Sequence, residues 1–280
     1  MSAHPALPVP AAGGYGSSWR SSPWIRCWSP RPAARFRLVC LPHAGGGASA
    51  YRPWLALLPP EVELLAVQYP GREDRFQDPL VDDMEELVTQ IADALVSALD
   101  RPYAMFGHSM GSAVAWELAH ELRRRGAPGP RRLFVSGREA PGTVTAGEVH
   151  RRTDAVLCRE LERLGGTSLE VLADDGLRPV VLGYIRNDYR LIETYRPAPR
   201  APLSCPVAVF TGESDPELTP GSAARGAGGW ADLTTARAEV RTFPGGHFYL
   251  NGRRREVVAA LLRRLDPSLA ENGQRWPSTP

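Results

Sequence analysis

A serine at position 109 lies in the segment 107–111, which has the sequence GHSMG. An apolar run, 103–106, precedes this segment, and a helical pattern that begins at Ser112 follows it. A G-x-S-x-G sequence between a strand and a helix is typical of a nucleophile elbow, a sharp turn that presents the serine hydroxyl above a sheet. The pattern therefore predicts acyl-transfer chemistry with Ser109 as the nucleophile.

A serine hydroxyl is a weak nucleophile near neutral pH, so it needs a histidine base within hydrogen-bond reach. His247 follows the predicted strand 238–243 and two glycines, just before the last predicted helix. In hydrolases with this kind of elbow, the histidine is the last catalytic residue in chain order. That position favours His247 over the other histidines, which are His4, His43, His108, His120 and His150.

The histidine in turn needs an acid that orients it, and Asp215 is the predicted one. It lies just beyond the apolar run 207–211, at the carboxyl end of a strand, where catalytic loops gather in open α/β sheets. Glu213 is the nearest alternative, and the local sequence GESDP favours Asp215. Another interpretation is that Asp215 only caps a helix, because aspartate followed by proline is also common at helix starts.

An acyl-transfer site also needs two backbone N–H groups that stabilise the oxyanion of the tetrahedral intermediate. Met110, directly after the nucleophile, is predicted to supply one of them. Ala44 is predicted to supply the other, from the glycine-rich segment 41–47 with the sequence LPHAGGG. The alternative, a phosphate-binding glycine loop, is disfavoured because the segment lacks both the GK[ST] ending and the GxGxxG spacing.

Alternating apolar runs and helical patterns position these residues. The predicted strands cover 36–41, 62–69, 103–106, 132–136, 207–211 and 238–243. The predicted helices cover 51–58, 84–99, 112–125 and 254–265. Continuously apolar strands that alternate with helices indicate an α/β fold, with a mostly parallel sheet covered on both faces.

The segment of about 137–202 interrupts this alternation, since it has no strand pattern but three helical stretches at 153–164, 168–173 and 177–195. It lies between the fourth and fifth predicted strands, and we interpret it as a helical lid over Ser109. Residues 1–22 are rich in Ala, Pro, Gly and Ser and are predicted to form a disordered tail. The domain is predicted to span 23–267, and residues 268–280 to fray.

Composition excludes several classes of function. All 33 basic residues are arginine, and with 31 acidic residues the net charge of +2 gives no nucleic-acid signal. The chain has neither a membrane-spanning apolar window nor a secretory signal. Its 4 cysteines form no CxxC pair, and no metal-binding cluster is evident. We expect a cytoplasmic monomer with reduced thiols, no metal and no cofactor.

Four segments together resemble the stand-alone, or type II, thioesterases that accompany polyketide synthases and nonribosomal peptide synthetases. They are LPHAGG at 41–46, YPGRE at 69–73, GHSMG at 107–111 and GGHF at 245–248. The resemblance extends from about residue 24 to about residue 265, and the chain length also resembles that of the member from prodiginine clusters. It implies an α/β-hydrolase fold with a mobile helical lid. The implied reaction is hydrolysis of acyl groups, stalled or aberrant ones included, from the phosphopantetheine arm of an acyl or peptidyl carrier protein.

The residues alone leave two questions open. A serine, histidine and aspartate serve an oxygen ester as well as a thioester, so a carboxylesterase or lipase is the alternative enzyme. The predicted substrate contacts also have alternatives. Gly45 lets the backbone approach the substrate, and Arg72 either binds the pantetheine phosphate or the carrier, or pairs with Glu73 to fix its own loop. Tyr184 and Tyr189 either line an acyl pocket or pack the lid on the core.

Overall fold

The computed structural model describes residues 18–143, 147–166, 174–218 and 229–272. Its strands are β1 (Ile25–Arg26), β2 (Phe36–Leu41), β3 (Val62–Val67), β4 (Tyr103–His108), β5 (Arg132–Ser136), β6 (Val207–Gly212) and β7 (Ala238–Phe243). They form one 7-stranded sheet in the order β1-β3-β2-β4-β5-β6-β7. Among these described strands, the β1–β3 pair alone is antiparallel, and the other neighbouring pairs are parallel. The predicted mostly parallel sheet is confirmed.

Helices cover both faces of this sheet. The α-helices are α1 (Met84–Leu95), α2 (Met110–Arg124), α3 (Asp154–Leu164), α4 (Arg178–Thr194), α5 (Tyr249–Gly252), α6 (Arg254–Leu265) and α7 (Pro267–Asn272). Short 3₁₀ helices are Ser18–Ser21, Ala48–Ala56, Glu73–Arg75, Val96–Ala98, Val149–Arg151 and Trp230–Leu233. None of the helices in the described ranges is long and apolar enough to span a lipid bilayer.

The core has two halves because successive strand residues point to opposite sides of the sheet. In β2, Val39 contributes to an apolar cluster with α1 and α2. Its neighbour Cys40 contributes to a second cluster on the other face, with Trp54 and α6. Every residue of β2, β3, β4 and β6 is buried, which explains why apolar residues predominate on both faces of these strands. The charged exceptions, Arg37 in β2 and Glu63 in β3, pair with each other at 2.8 Å.

Several predicted boundaries shift. The predicted helix 51–58 is a 3₁₀ helix, Ala48–Ala56, and it contains Pro53, which lacks the N–H that an α-helix interior requires. The strand predicted to end at residue 106 continues to His108, and the next helix begins at Met110, so Ser109 alone forms the turn. Strand β1 was not predicted, because two residues are too few to show a periodicity.

Both predicted tails are too long. Trp19 lies in a 3₁₀ helix and is buried, so the ordered chain begins before residue 22. Its ring packs against the guanidinium of Arg37 at 4.9 Å. At the other end, residues 268–272 belong to α7, where Leu269 is fully buried in the second cluster. Burial of one large apolar side chain anchors each end, and residues 1–17 and 273–280 lie outside the described ranges.

Among the described residues between β5 and β6, the α-helices are α3 and α4. They share a small apolar cluster of Leu157, Leu161, Val181, Leu182 and Ile185. Leu191, farther along α4, belongs instead to the main core cluster with α1 and α2. The predicted helix 168–173 lies outside the described residues, and the described residues between 137 and 202 contain no strand. Helix α4 therefore joins this helical segment to the body of the fold.

Candidate active site

Ser109 forms the turn between β4 and α2. Its backbone has φ 52° and ψ −117°, a left-handed conformation that side chains with a Cβ rarely adopt. Its N–H donates a hydrogen bond of 2.7 Å to the carbonyl of Ser136 at the end of β5. This geometry fits the predicted elbow, which lifts the hydroxyl out of the sheet.

The two glycines of the elbow are required because neighbouring backbone atoms lie too close to leave room for a Cβ. A Cβ on Gly107 would lie 2.1 Å from the carbonyl oxygen of Gly111, and a Cβ on Gly111 would lie 2.1 Å from that of Leu41. The start of α2 therefore packs directly on the end of β2, which brings Met110 beside the loop that follows β2. The Ser112 hydroxyl locks the turn by donating to the Gly107 carbonyl at 2.9 Å and accepting from the Ser136 N–H at 3.0 Å.

The predicted acid and base meet at the carboxyl edge of the sheet. Asp215 follows β6, His247 follows β7, and both side chains are buried. The Nδ1 of His247 lies 3.0 Å from each carboxylate oxygen of Asp215. Because an ionised carboxylate can only accept, Nδ1 carries the proton in the neutral ring, and the lone pair of that ring is then on Nε2. Glu213, the alternative acid, is exposed.

Ser109 and His247 line one cavity of about 250 Å³ together with Ala44 and Met110. Met110 is the first residue of α2, where N–H groups have no intrahelical partner. The Ala44 N–H donates no hydrogen bond within the described part of the chain. The cavity thus combines a serine, an imidazole with a free lone pair and two candidate oxyanion donors.

Two further histidines lie near the His247 ring. The ring of His108 lies 4.9 Å from that of His247, and His43 packs edge-on against His108 at 5.8 Å. Burial, together with smaller contributions from the neighbouring His247 and Arg72, lowers the pKa of His43 to about 3. Burial also lowers the pKa of His108 well below its usual range. Both rings are therefore neutral near pH 7, and His108 is fixed by a 2.9 Å contact between its Nδ1 and the Ser136 hydroxyl.

The predicted substrate residues separate into two groups. Tyr189 lines the cavity, whereas the described lining does not include Gly45, Arg72 or Tyr184. The Gly45 N–H donates to Asp188 of α4 at 2.8 Å. The structure therefore gives these three residues contacts within the protein rather than an open face on the cavity.

Arg72 does not have the partner that the sequence suggested. Both of its terminal nitrogens contact the carboxylate of Asp188, and both side chains are only 4% exposed. Burial lowers the pKa of Arg72, but the Asp188 charge outweighs burial and raises it overall. Glu73 accepts a hydrogen bond from the Ser49 hydroxyl instead. The predicted Arg72–Glu73 pair is wrong, and the ring of Tyr184 packs against the guanidinium at 4.8 Å.

Charged side chains in the cavity were missed by the sequence analysis. They are Arg138, Glu160, Glu193 and Glu217. Burial lowers the pKa of Arg138 to about 10, against the opposing influence of Glu217, and its buried Nε has no hydrogen-bond partner within the described residues. Arg138 follows β5 by two residues, so the rule that sites gather at carboxyl ends of strands could have identified it. The others lie on α3 and α4 and in a loop, with no local signal.

The thioesterase domain family model matches residues 36–268. The chain belongs to this family. This thioesterase is 42% identical over 247 residues to a probable cadicidin biosynthesis thioesterase of Streptomyces griseus, covering 88% of this chain and 67% of the relative. Its fold is similar to that of the type II thioesterase BorB from the borrelidin biosynthetic cluster. That match has a TM-score of 0.78 and 41% identity, and covers 86% of this chain and 97% of BorB.

A second solved structure, RedJ from the prodiginine biosynthetic pathway of Streptomyces coelicolor, is also similar to this thioesterase. The TM-score is 0.74 and the identity 42%, with 83% of this chain and 91% of RedJ covered. Thioesterase relatives of this kind confirm the predicted family and the α/β-hydrolase type of fold. They favour a thioester over an oxygen ester as the bond that is cleaved.

Proposed function

We propose that this thioesterase hydrolyses acyl groups from the phosphopantetheine arm of an acyl or peptidyl carrier protein in polyketide or nonribosomal peptide biosynthesis. The proposal rests on one observation above all, the cavity that Ser109, His247, Ala44 and Met110 line together. The relatives named above belong to biosynthetic clusters and pathways of this kind, which supports the carrier-bound substrate. The substrate brings its own phosphopantetheine, so the protein itself requires no cofactor.

The reaction begins when the Ser109 hydroxyl oxygen attacks the thioester carbonyl carbon and its proton passes to Nε2 of His247. Asp215, which accepts from Nδ1–H, stabilises the imidazolium that forms. The negative charge on the carbonyl oxygen is stabilised by the N–H groups of Ala44 and Met110. These donors and the acid–base pair are held by strand ends, so little reorganisation is needed as charge develops.

The carbon–sulfur bond then breaks, and His247 returns its proton to the departing sulfur. A thiol has a pKa of about 8.5, so the thiolate leaves more readily than an alkoxide would. Water next attacks the acyl-Ser109 ester, with His247 removing a proton from the water and delivering it to the Ser109 oxygen. The products are a free carboxylic acid, a carrier thiol and regenerated enzyme.

A panel of acyl-carrier thioesters of varied chain length and branching, each matched with an oxygen ester of the same acyl group, tests this proposal. We expect the wild-type protein to turn over the thioesters faster, and Ser109→Ala to lose activity by a factor on the order of 10⁶. Ser204→Ala removes an exposed serine outside the cavity and should retain full activity. Faster cleavage of the oxygen esters, or activity that persists in Ser109→Ala, would contradict the proposal.

A further inference from the structure

One buried carboxylate joins three separate parts of the fold. Asp188 lies in the middle of α4, and its Oδ2 accepts a hydrogen bond from the Gly45 N–H at 2.8 Å. The same carboxylate binds both terminal nitrogens of Arg72, one of them at 2.8 Å. Arg72 also donates to the carbonyls of Pro70 at 3.1 Å and Gly46 at 3.3 Å. Helix α4, the loop after β2 and the loop after β3 therefore meet at Asp188.

The loop after β2 is the one that carries the candidate oxyanion donor. The Gly45 N–H belongs to the peptide after Ala44, whereas the Ala44 N–H belongs to the peptide before it, whose His43 carbonyl accepts from the Gly46 N–H at 2.9 Å. Asp188 therefore restrains Ala44 from its carboxyl side, directly through the Gly45 N–H and, by way of Arg72, through the Gly46 carbonyl. Helix α4 contacts this loop a second time through Ile185, since a Cβ on Gly45 would lie 2.9 Å from its Cγ1. The orientation of the Ala44 backbone thus depends on where α4 packs.

The pair is built as a buried site rather than as a surface salt bridge. Asp188 and Arg72 are each 4% exposed, and the arginine fits the carboxylate with two parallel contacts. The ring of Tyr184, also on α4, covers the guanidinium at 4.8 Å. A buried carboxylate is stable only while its charge is paired and its oxygens are hydrogen-bonded. Asp188 meets this requirement only with Arg72 and the Gly45 N–H in place.

We propose that Asp188, oriented by Arg72, is a positioning residue for the oxyanion hole, tying helix α4 to the loop so that the Ala44 N–H points into the cavity. The inference rests on the proposed function, since it assigns Ala44 an oxyanion to stabilise. Arg72, predicted from the sequence to touch the substrate, acts instead through Asp188. Asp188 and Arg72 thus help to stabilise the transition state without contacting it.

A matched pair of variants on α4 separates positioning from packing. Asp188→Ala removes the contact to the Gly45 N–H, whereas Asn187→Ala removes a 2.8 Å hydrogen bond from α4 to the Val81 carbonyl and leaves the loop untouched. The readouts are kcat and KM for an acyl-pantetheine thioester and the affinity of a pantetheine trifluoromethyl ketone. Ser109 adds to this ketone and forms an oxyanion at the same place.

We expect Asp188→Ala to lower kcat by about 10²-fold, the effect of losing one oxyanion donor, with KM little changed. The affinity for the ketone should fall by the same factor, and Asn187→Ala should stay near wild type in both. Asp188→Asn keeps an oxygen that can accept from the Gly45 N–H and should recover part of the loss. A merely structural role would change stability without this split between kcat and KM.

If Asp188→Ala does not fold, the double variant Arg72→Met/Asp188→Leu replaces both charges with apolar groups, a change that buried ion pairs often tolerate. It should fold and show the same loss of kcat and of ketone affinity. Wild-type values of both in either folded variant would overturn the inference. A wild-type protein that neither cleaves the thioester nor binds the ketone would instead refute the proposed function itself.

Discussion

The backbone conformation of Ser109 predicts that activity is maintained at the expense of stability. A residue with a Cβ at φ 52° and ψ −117° carries a strain of about 1–3 kcal/mol, and glycine carries almost none. Glycine also loses more chain entropy on folding, which costs about 0.5–1 kcal/mol relative to alanine. The difference leaves Ser109→Gly more stable than Ser109→Ala by about 1 kcal/mol.

The assay compares the urea unfolding of Ser109→Gly and Ser109→Ala, neither of which has the hydroxyl. In thermal unfolding, the same difference of about 1 kcal/mol corresponds to about 2–4 °C in Tm for a domain of about 150–250 residues. Both variants should be inactive, so the comparison isolates the backbone from the chemistry. The magnitude is well above the error of a paired measurement on the same protein.

The control uses Ser112, the third residue of α2, whose φ is not positive. There the order should reverse, because glycine in a helix interior is about 1 kcal/mol less favourable than alanine. Both Ser112 variants lose the same hydrogen bonds to Gly107 and Ser136, so that loss cancels. If Ser109→Gly unfolds at a lower urea concentration than Ser109→Ala, the strain argument is refuted.

Three further predictions concern the acid, the elbow and acid stability. Asp215→Asn should lower kcat by about 10⁴-fold in thioester hydrolysis with little change in Tm, and a tenfold loss or less would contradict its role. Gly111→Ala should destabilise the fold by about 1–3 kcal/mol or more in urea unfolding, because its Cβ would lie 2.1 Å from the Leu41 carbonyl oxygen. Gly183→Ala, in an open position on α4, should stabilise by about 1 kcal/mol. Burial lowers the pKa of His120 to about 4 in the folded protein. Between pH 6.5 and pH 4 the unfolded state therefore binds a proton that the folded state does not, and the free energy of unfolding decreases as the pH falls. In this pH range, His120→Gln should reduce the change in the free energy of unfolding by up to about 1.4 kcal/mol per pH unit. An unchanged pH dependence would exclude His120 as its cause.

The sequence predicts well what is encoded locally. The elbow, the acid loop and the histidine loop each follow a predicted strand, and these positions together with chain order predict that Ser109, Asp215 and His247 lie at one sheet edge. Contacts between distant segments were not predictable in this way. Arg72 and Asp188 are 116 residues apart, and no periodicity links them, so the sequence suggested the adjacent Glu73 as a partner instead.

The charged lining of the cavity shows the same limit. Glu160 and Glu193 lie on helices whose polar residues fit a solvent-exposed face equally well. Only the packing of α3 and α4 above the sheet turns these carboxylates toward the cavity. A sequence pattern specifies which face of a helix is apolar, but not which side chains of other elements its polar residues will face across a cavity.

Because the helical segment enters the chain between β5 and β6, the proposed mechanism assigns catalysis and acyl selectivity to separable parts of the chain. Ser109, Asp215 and His247 come from strand ends, while Tyr189 and Ile192 reach the same cavity from α4. Grafting the segment from another relative should therefore exchange acyl preference while conserving the reaction. Asp188 sets the limit on such exchange: under the proposal above, a chimera whose transplanted segment lacks a carboxylate opposite Arg72 should have a kcat lower by about 10²-fold.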